Sequence, residues 1–168
     1  ELHTAVGEWI EENYSEELEV YFPRLAEHWL QAGDMKRAVR FLALAGEVAL
    51  QHNANREAAR FYRKAIQLDA EIGEQVDSLE RARWQRRYGE ALYCQGEIAL
   101  SLKHLREALK LLGYPAPESL ISVSINTGIE LFRQLLHRLR SRVFGKPTGR
   151  PTDTLIEAVR AYERLFEI

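Results

Sequence analysis

The side chains best suited to bind a metal or attack an electrophile are five histidines (His3, His28, His52, His104, His137) and one cysteine, Cys94. A metal site needs several such ligands at a fixed spacing, such as two histidines one helical turn apart or cysteine pairs separated by a few residues. None of the histidines pairs at i,i+4, and Cys94 has no cysteine or histidine at metal spacing. The histidines therefore read as surface or interhelical residues. A cysteine nucleophile needs a base held beside it. Cys94 stands alone on an apolar helix face and reads as buried and inert. The Gly145-Lys146 step is followed by Pro147 and lacks the glycine pattern of a phosphate-binding loop. The acid pairs Glu11-Glu12 and Glu16-Glu17 fall near helix ends, where they favour the helix dipole or water. Trp9, Trp29 and Trp84 recur at helical spacing and read as core. The expectation is no catalytic, cofactor or metal site, and no small-molecule substrate.

One cluster points to binding. From Arg133 to Arg150 there are six basic residues and no acidic one, whereas Glu1 to Asp34 holds nine acidic residues and a single cation, Arg24. The overall net charge of −2 hides this asymmetry. Phe132, Leu135, Leu136, Leu139 and Val143 form an apolar stripe, and Arg133, His137, Arg138, Arg140 and Arg142 occupy the remaining faces. These five basic residues are the candidate partner-binding residues. Through segment 129–150 they suit an acidic protein surface, an anionic membrane or nucleic acid. The plainer expectation is that the stripe covers the end of a helical stack while the arginines are solvated or paired.

The elements that must position these residues are helical almost throughout. Helices are expected from His3 to Asn13, from a Ser15-Glu16-Glu17-Leu18 cap through Pro23, which suits a first turn, to a stop at Ala32-Gly33-Asp34, and from Lys36 to His52. Others are expected over Arg56–Ile72, Leu79–Gln95 and from Gly96 to Leu112. Gly33 suits a left-handed helix end, and Asp34 and Asn55 suit N-caps. Leu120–Phe144 reads as a seventh, basic helix. Residues 145–151 read as a linker, with Thr152 or Asp153 capping a last helix. Chain 1–113 is then one helical repeat domain. The basic helix within 114–144 packs on or extends it, and 152–168 begins a further repeat. A start without Met and an uncapped amphipathic end, Ala158–Ile168, predict that the chain is cut from a longer polypeptide. No apolar run approaches the ~20 residues that span a bilayer, and a single cysteine fits a cytoplasmic protein.

Small residues recur at a fixed interval. Ala26 precedes Ala38, Gly46 precedes Ala58, and Gly89 precedes Ser101, each by twelve positions. Large residues stand four beyond each second small one (Leu42, Tyr62, Leu105), and alanines seven beyond (Ala45, Ala65, Ala108). Antiparallel helices 8–10 Å apart need small side chains where their axes approach. The pattern predicts helix pairs, each covering the apolar face of the last.

This resembles the tetratricopeptide repeat, most clearly over Tyr88-Gly89-Glu90-Ala91-Leu92-Tyr93-Cys94-Gln95-Gly96 and Ser101 to Leu112. The first two units start only twenty residues apart, against about 34 in a regular array. The helix Lys36–His52 must then serve two pairs. The expected fold class is all-α, an irregular TPR-like stack of helical hairpins (an alpha-alpha superhelix) of about eight helices. The series Val6–Glu11, Leu25–Trp29, Ala32-Gly33-Asp34, Ala45–Leu50 and Ala54–Ala58 also resembles the helical region of large bacterial signalling ATPases of the STAND type, which often carry a nucleotide-cyclase or protein-kinase domain. That resemblance implies a protein-interaction scaffold or sensor, with a protein partner or neighbouring domains of the same polypeptide bound on a concave face. A purely structural spacer arm is the alternative.

Overall fold

A computed structural model describes residues 1–73, 75–114 and 149–167. Among them are seven α-helices and one 3-10 turn, with no strand: α1 (Leu2–Asn13), the 3-10 turn Leu18–Tyr21, α2 (Phe22–Ala32), α3 (Met35–Gln51), α4 (Asn55–Glu71), α5 (Ser78–Cys94), α6 (Ile98–Leu111) and α7 (Gly149–Glu167). The fold is all-α, a stack of helical hairpins. The seventh helix expected over Leu120–Phe144 lies outside the described residues, as does linker segment 145–148.

Small-to-large spacing sets the packing. Every residue of the twelve-residue pattern is buried, from Ala26 and Ala38 to Ser101, Leu105 and Ala108. A Cβ added to Gly46 would meet Tyr62 Cε2 at 2.8 Å, and one added to Gly89 would meet Leu105 Cγ at 3.0 Å. Each glycine thus receives the large side chain of the next helix directly against its backbone. Ser101 adds a polar tie, its Oγ donating to the Gly89 carbonyl at 2.8 Å. α3 packs against both α2 and α4, which is the double use that its position in two overlapping units requires. The main core joins α1 through α5 around Leu25, Trp29, Phe41 and Tyr62. A smaller one joins Ala82 of α5, Leu109 and Leu112 at the end of α6, and Ala158 and Ala161 of α7.

Several boundaries differ from expectation for identifiable reasons. Ser15 does not cap α2, which begins at Phe22 after the 3-10 turn. A helix running from Ser15 would carry Pro23 in its interior, where the ring clashes with the carbonyl four residues back. Starting at Phe22 places Pro23 in the first turn, where a missing N–H costs nothing. Asn55 does not cap α4 either. Asn53 adopts a left-handed φ of 57°, Ala54 N–H donates to Ala49 O at 2.8 Å, and Asn55 is already helical. Asp34 does cap α3, accepting from the Arg37 N–H, and Gly33 is left-handed at φ 80°. Asp77 caps α5 by accepting from the Glu80 N–H. α7 starts at Gly149, so the end of the expected linker is helical and Pro151 stands in a first turn. No helix among the described residues is long and apolar enough to cross a membrane.

Candidate functional site

A groove of about 830 Å³ runs between α3, α5 and α7. α3 gives it Lys36, Arg37 and Arg40 along one rim, with Val39, Ala43 and Leu44 as an apolar floor. α5 adds Glu80, Arg83, Trp84 and Arg87, and α7 adds Glu157 and Arg160. Helical register explains the division. Residues 36, 40, 44 and 47 share one stripe of α3, and residues 80, 83, 84 and 87 share one stripe of α5.

Most charges in the groove are already paired. Arg37 lies 3.4 Å from Asp34, Arg83 lies 3.1 Å from Glu80, and Arg87 pairs with Glu47. Tyr62 Oη donates to Glu47 at 3.3 Å, and Trp84 Nε1 donates to Glu80 at 3.0 Å, which fixes both carboxylates. Burial pushes the Tyr62 hydroxyl well above the ordinary phenol range, so it remains a donor. Lys36 and Arg40 are exposed and form no ion pair with any carboxylate among the described residues. They stand one turn apart beside an apolar floor.

Where α7 meets α5, Glu157 is 4% exposed and Arg86 6% exposed. Arg86 Nε donates to Glu157 at 2.9 Å, and its Nη1 donates to Glu90. Burial works to lower the Arg86 pKa, but Glu90 and Glu157 outweigh it and hold the guanidinium above its ordinary value. Arg87 goes the other way, because burial dominates there and lowers it.

The candidate basic residues Arg133, His137, Arg138, Arg140 and Arg142 lie outside the described residues. Cys94 corrects its expectation, because it is exposed at the last turn of α5 rather than buried. Cys94 is the last residue of α5, and residues 94–100 are all exposed at this end of the hairpin. Trp29 and Trp84 are core residues as expected, but Trp9 is 54% exposed and stacks edge-on against Tyr14.

Sequence reading missed three contacts. His3 and His28 meet across α1 and α2 with Nδ1 atoms 3.0 Å apart, although 25 positions separate them. No cluster of three or more His, Cys, Asp or Glu suited to a metal occurs among the described residues, so this pair is a hydrogen bond between helices. Glu11 accepts from Trp29 Nε1 at 3.0 Å, which gives that acid a packing role. The Glu157 cluster joins residues about seventy positions apart, and no local spacing could have announced it. The chain matches no protein-family model, no curated protein and no solved structure.

Proposed function

We propose that the chain is a non-catalytic interaction scaffold that receives an extended, acidic protein segment in the groove between α3, α5 and α7. The observation that carries this reading is the rim of Lys36 and Arg40, two cations without a carboxylate partner among the described residues, beside the floor of Val39, Ala43 and Leu44. Long, narrow grooves with an apolar floor and charged rims suit extended peptides, whose apolar residues give affinity and whose charges fix direction. In line with the resemblance to STAND-type ATPases, the scaffold would be one segment of a larger cytoplasmic signalling protein. There the partner is either a separate protein or a neighbouring domain.

Random twelve-residue peptides selected on the immobilised chain test this. Peptides enriched in Asp and Glu with interspersed apolar residues are expected, and the Lys36→Glu/Arg40→Glu variant should bind them at least tenfold more weakly. Selected peptides without acidic enrichment, or equal affinity for the variant, would remove the groove as the site. Binding of DNA or RNA that falls steeply with salt would instead favour the segment 129–150.

A further inference from the structure

α5 carries three arginines within five positions: Arg83 and Arg87 line the groove, and Arg86 faces Glu157 of α7 beside it. Like charges so close repel one another, and a buried guanidinium needs counter-ions. α7 supplies one carboxylate to this group. Glu157 accepts from Arg86 Nε at 2.9 Å, lies 3.7 Å from Arg83 Nε, and accepts from Arg160 Nη1 at 2.9 Å. One buried carboxylate therefore faces three guanidinium groups while forming part of the groove wall, with Glu80 as a second partner of Arg83 and Glu90 of Arg86. An apolar residue of similar size can dock two helices as well as a buried ion pair does. The small apolar seam of Ala158 and Ala161 already joins α7 to Ala82 and Leu109. Docking alone does not require a charge at position 157.

We propose that Arg83, Arg86 and Arg160 form a carboxylate-binding site at the groove wall, that Glu157 fills it from within the chain, and that an acidic partner segment competes with Glu157 and loosens α7 from α5. The partner's route to this site rests on the groove reading above, but the site itself does not. Lys36 and Arg40 on the opposite rim anchor one end of an acidic segment, and the arginines at α7 take the other. Glu157 is held at a high effective concentration, so a single free carboxylate does not displace it. A segment with several carboxylates, anchored first at the free rim, competes on comparable terms.

The probe is fluorescein-labelled octa-glutamate, followed by anisotropy at low salt. Glu157→Gln keeps the side-chain shape and removes the carboxylate shared by the three guanidinium groups, leaving one more positive charge there, and it should bind the probe about tenfold more tightly than the unaltered chain. Equal or weaker binding by Glu157→Gln overturns the proposal. Should Lys36→Glu/Arg40→Glu bind as well as the unaltered chain while Glu157→Gln still gains, the groove reading falls and the carboxylate site stands. The reverse pattern keeps the groove and removes the carboxylate site, and no binding by any variant overturns both. A second measurement uses the unaltered chain, in case Glu157→Gln folds poorly. Saturating octa-glutamate should speed amide hydrogen exchange across residues 153–167. Unchanged or slower exchange there overturns the competition.

Discussion

His104 shows how one side chain in a hairpin seam acquires pH dependence without any catalytic role. Its Nδ1–H donates to Gln85 Oε1 at 2.7 Å, and its ring packs 4.4 Å from that of Tyr88. Partial burial, followed by the positive charge of Lys103, holds its pKa below the ordinary 6.5. The unfolded chain therefore binds the proton more readily than the folded one. Above pH 6.5 the group is neutral in both states and contributes no pH dependence. As pH falls through 6.5 toward the lowered folded-state value, stability is lost, and the loss levels off below that value. His104→Gln removes this contribution, so the drop in Tm between pH 7.5 and pH 5.5 should shrink in the variant. An unchanged pH profile would mean that other groups carry all of the acid sensitivity.

The helix pair is the next scale, and there the contact of Gly46 with Tyr62 is decisive. Alanine is favoured over glycine inside a helix by about 1 kcal/mol, so Gly46→Ala would stabilise an isolated α3. In the hairpin its methyl group falls 2.8 Å from the Tyr62 ring, which is locked between α3 and α4. Overpacking of this kind costs about 1–3 kcal/mol. Gly46→Ala should therefore lower stability by about 1 kcal/mol net, and it should raise stability when Tyr62 is also replaced by Ala. Urea titration of the two single variants and the double variant reads this directly, and a stabilised Gly46→Ala in the unaltered background would refute the tight contact. This seam was legible in sequence because close approach leaves a local trace: a small residue, another small residue twelve positions on, and a large one sixteen on. The entry into α2 was legible in part. Pro23 marked the first turn, but Ser15 also favoured a cap, and Pro23 forbids the helix that such a cap would start. Cys94 failed for a subtler reason. It lies in an apolar stretch with Ala91, Leu92 and Tyr93 and shares a side of α5 with Ala91, but it ends the helix, where residues 94–100 are all exposed.

Across the whole stack, stability should vary along the chain, because each helix is held only by its neighbours. α3 is covered on two sides by α2 and α4 and buries Val39, Phe41, Leu42, Ala45 and Gly46 among others. α1 buries only Gly7 and Ile10, and its exposed face carries Leu2 and Trp9. α7 rests on α5 and α6 through the alanine seam and the Glu157 cluster. The nearest-neighbour character was legible from the overlapping units, since a helix that belongs to two pairs must be covered twice. The position of α7 was not. Its buried acid meets Arg86 across 71 positions, and such an arrangement is set by the assembled surface rather than by any repeat. Amide hydrogen exchange on the free chain should therefore rank the helices. The central amides of α3 and α4 should exchange only by global unfolding, and those of α1 and α7 should exchange through local openings of lower free energy. Addition of urea at sub-denaturing concentrations should speed exchange in α3 and α4 steeply and in α1 and α7 weakly, because only the former expose the full core. Equal protection and equal urea dependence in all helices would show a single cooperative unit, in which α7 could not be loosened by a partner without unfolding the rest.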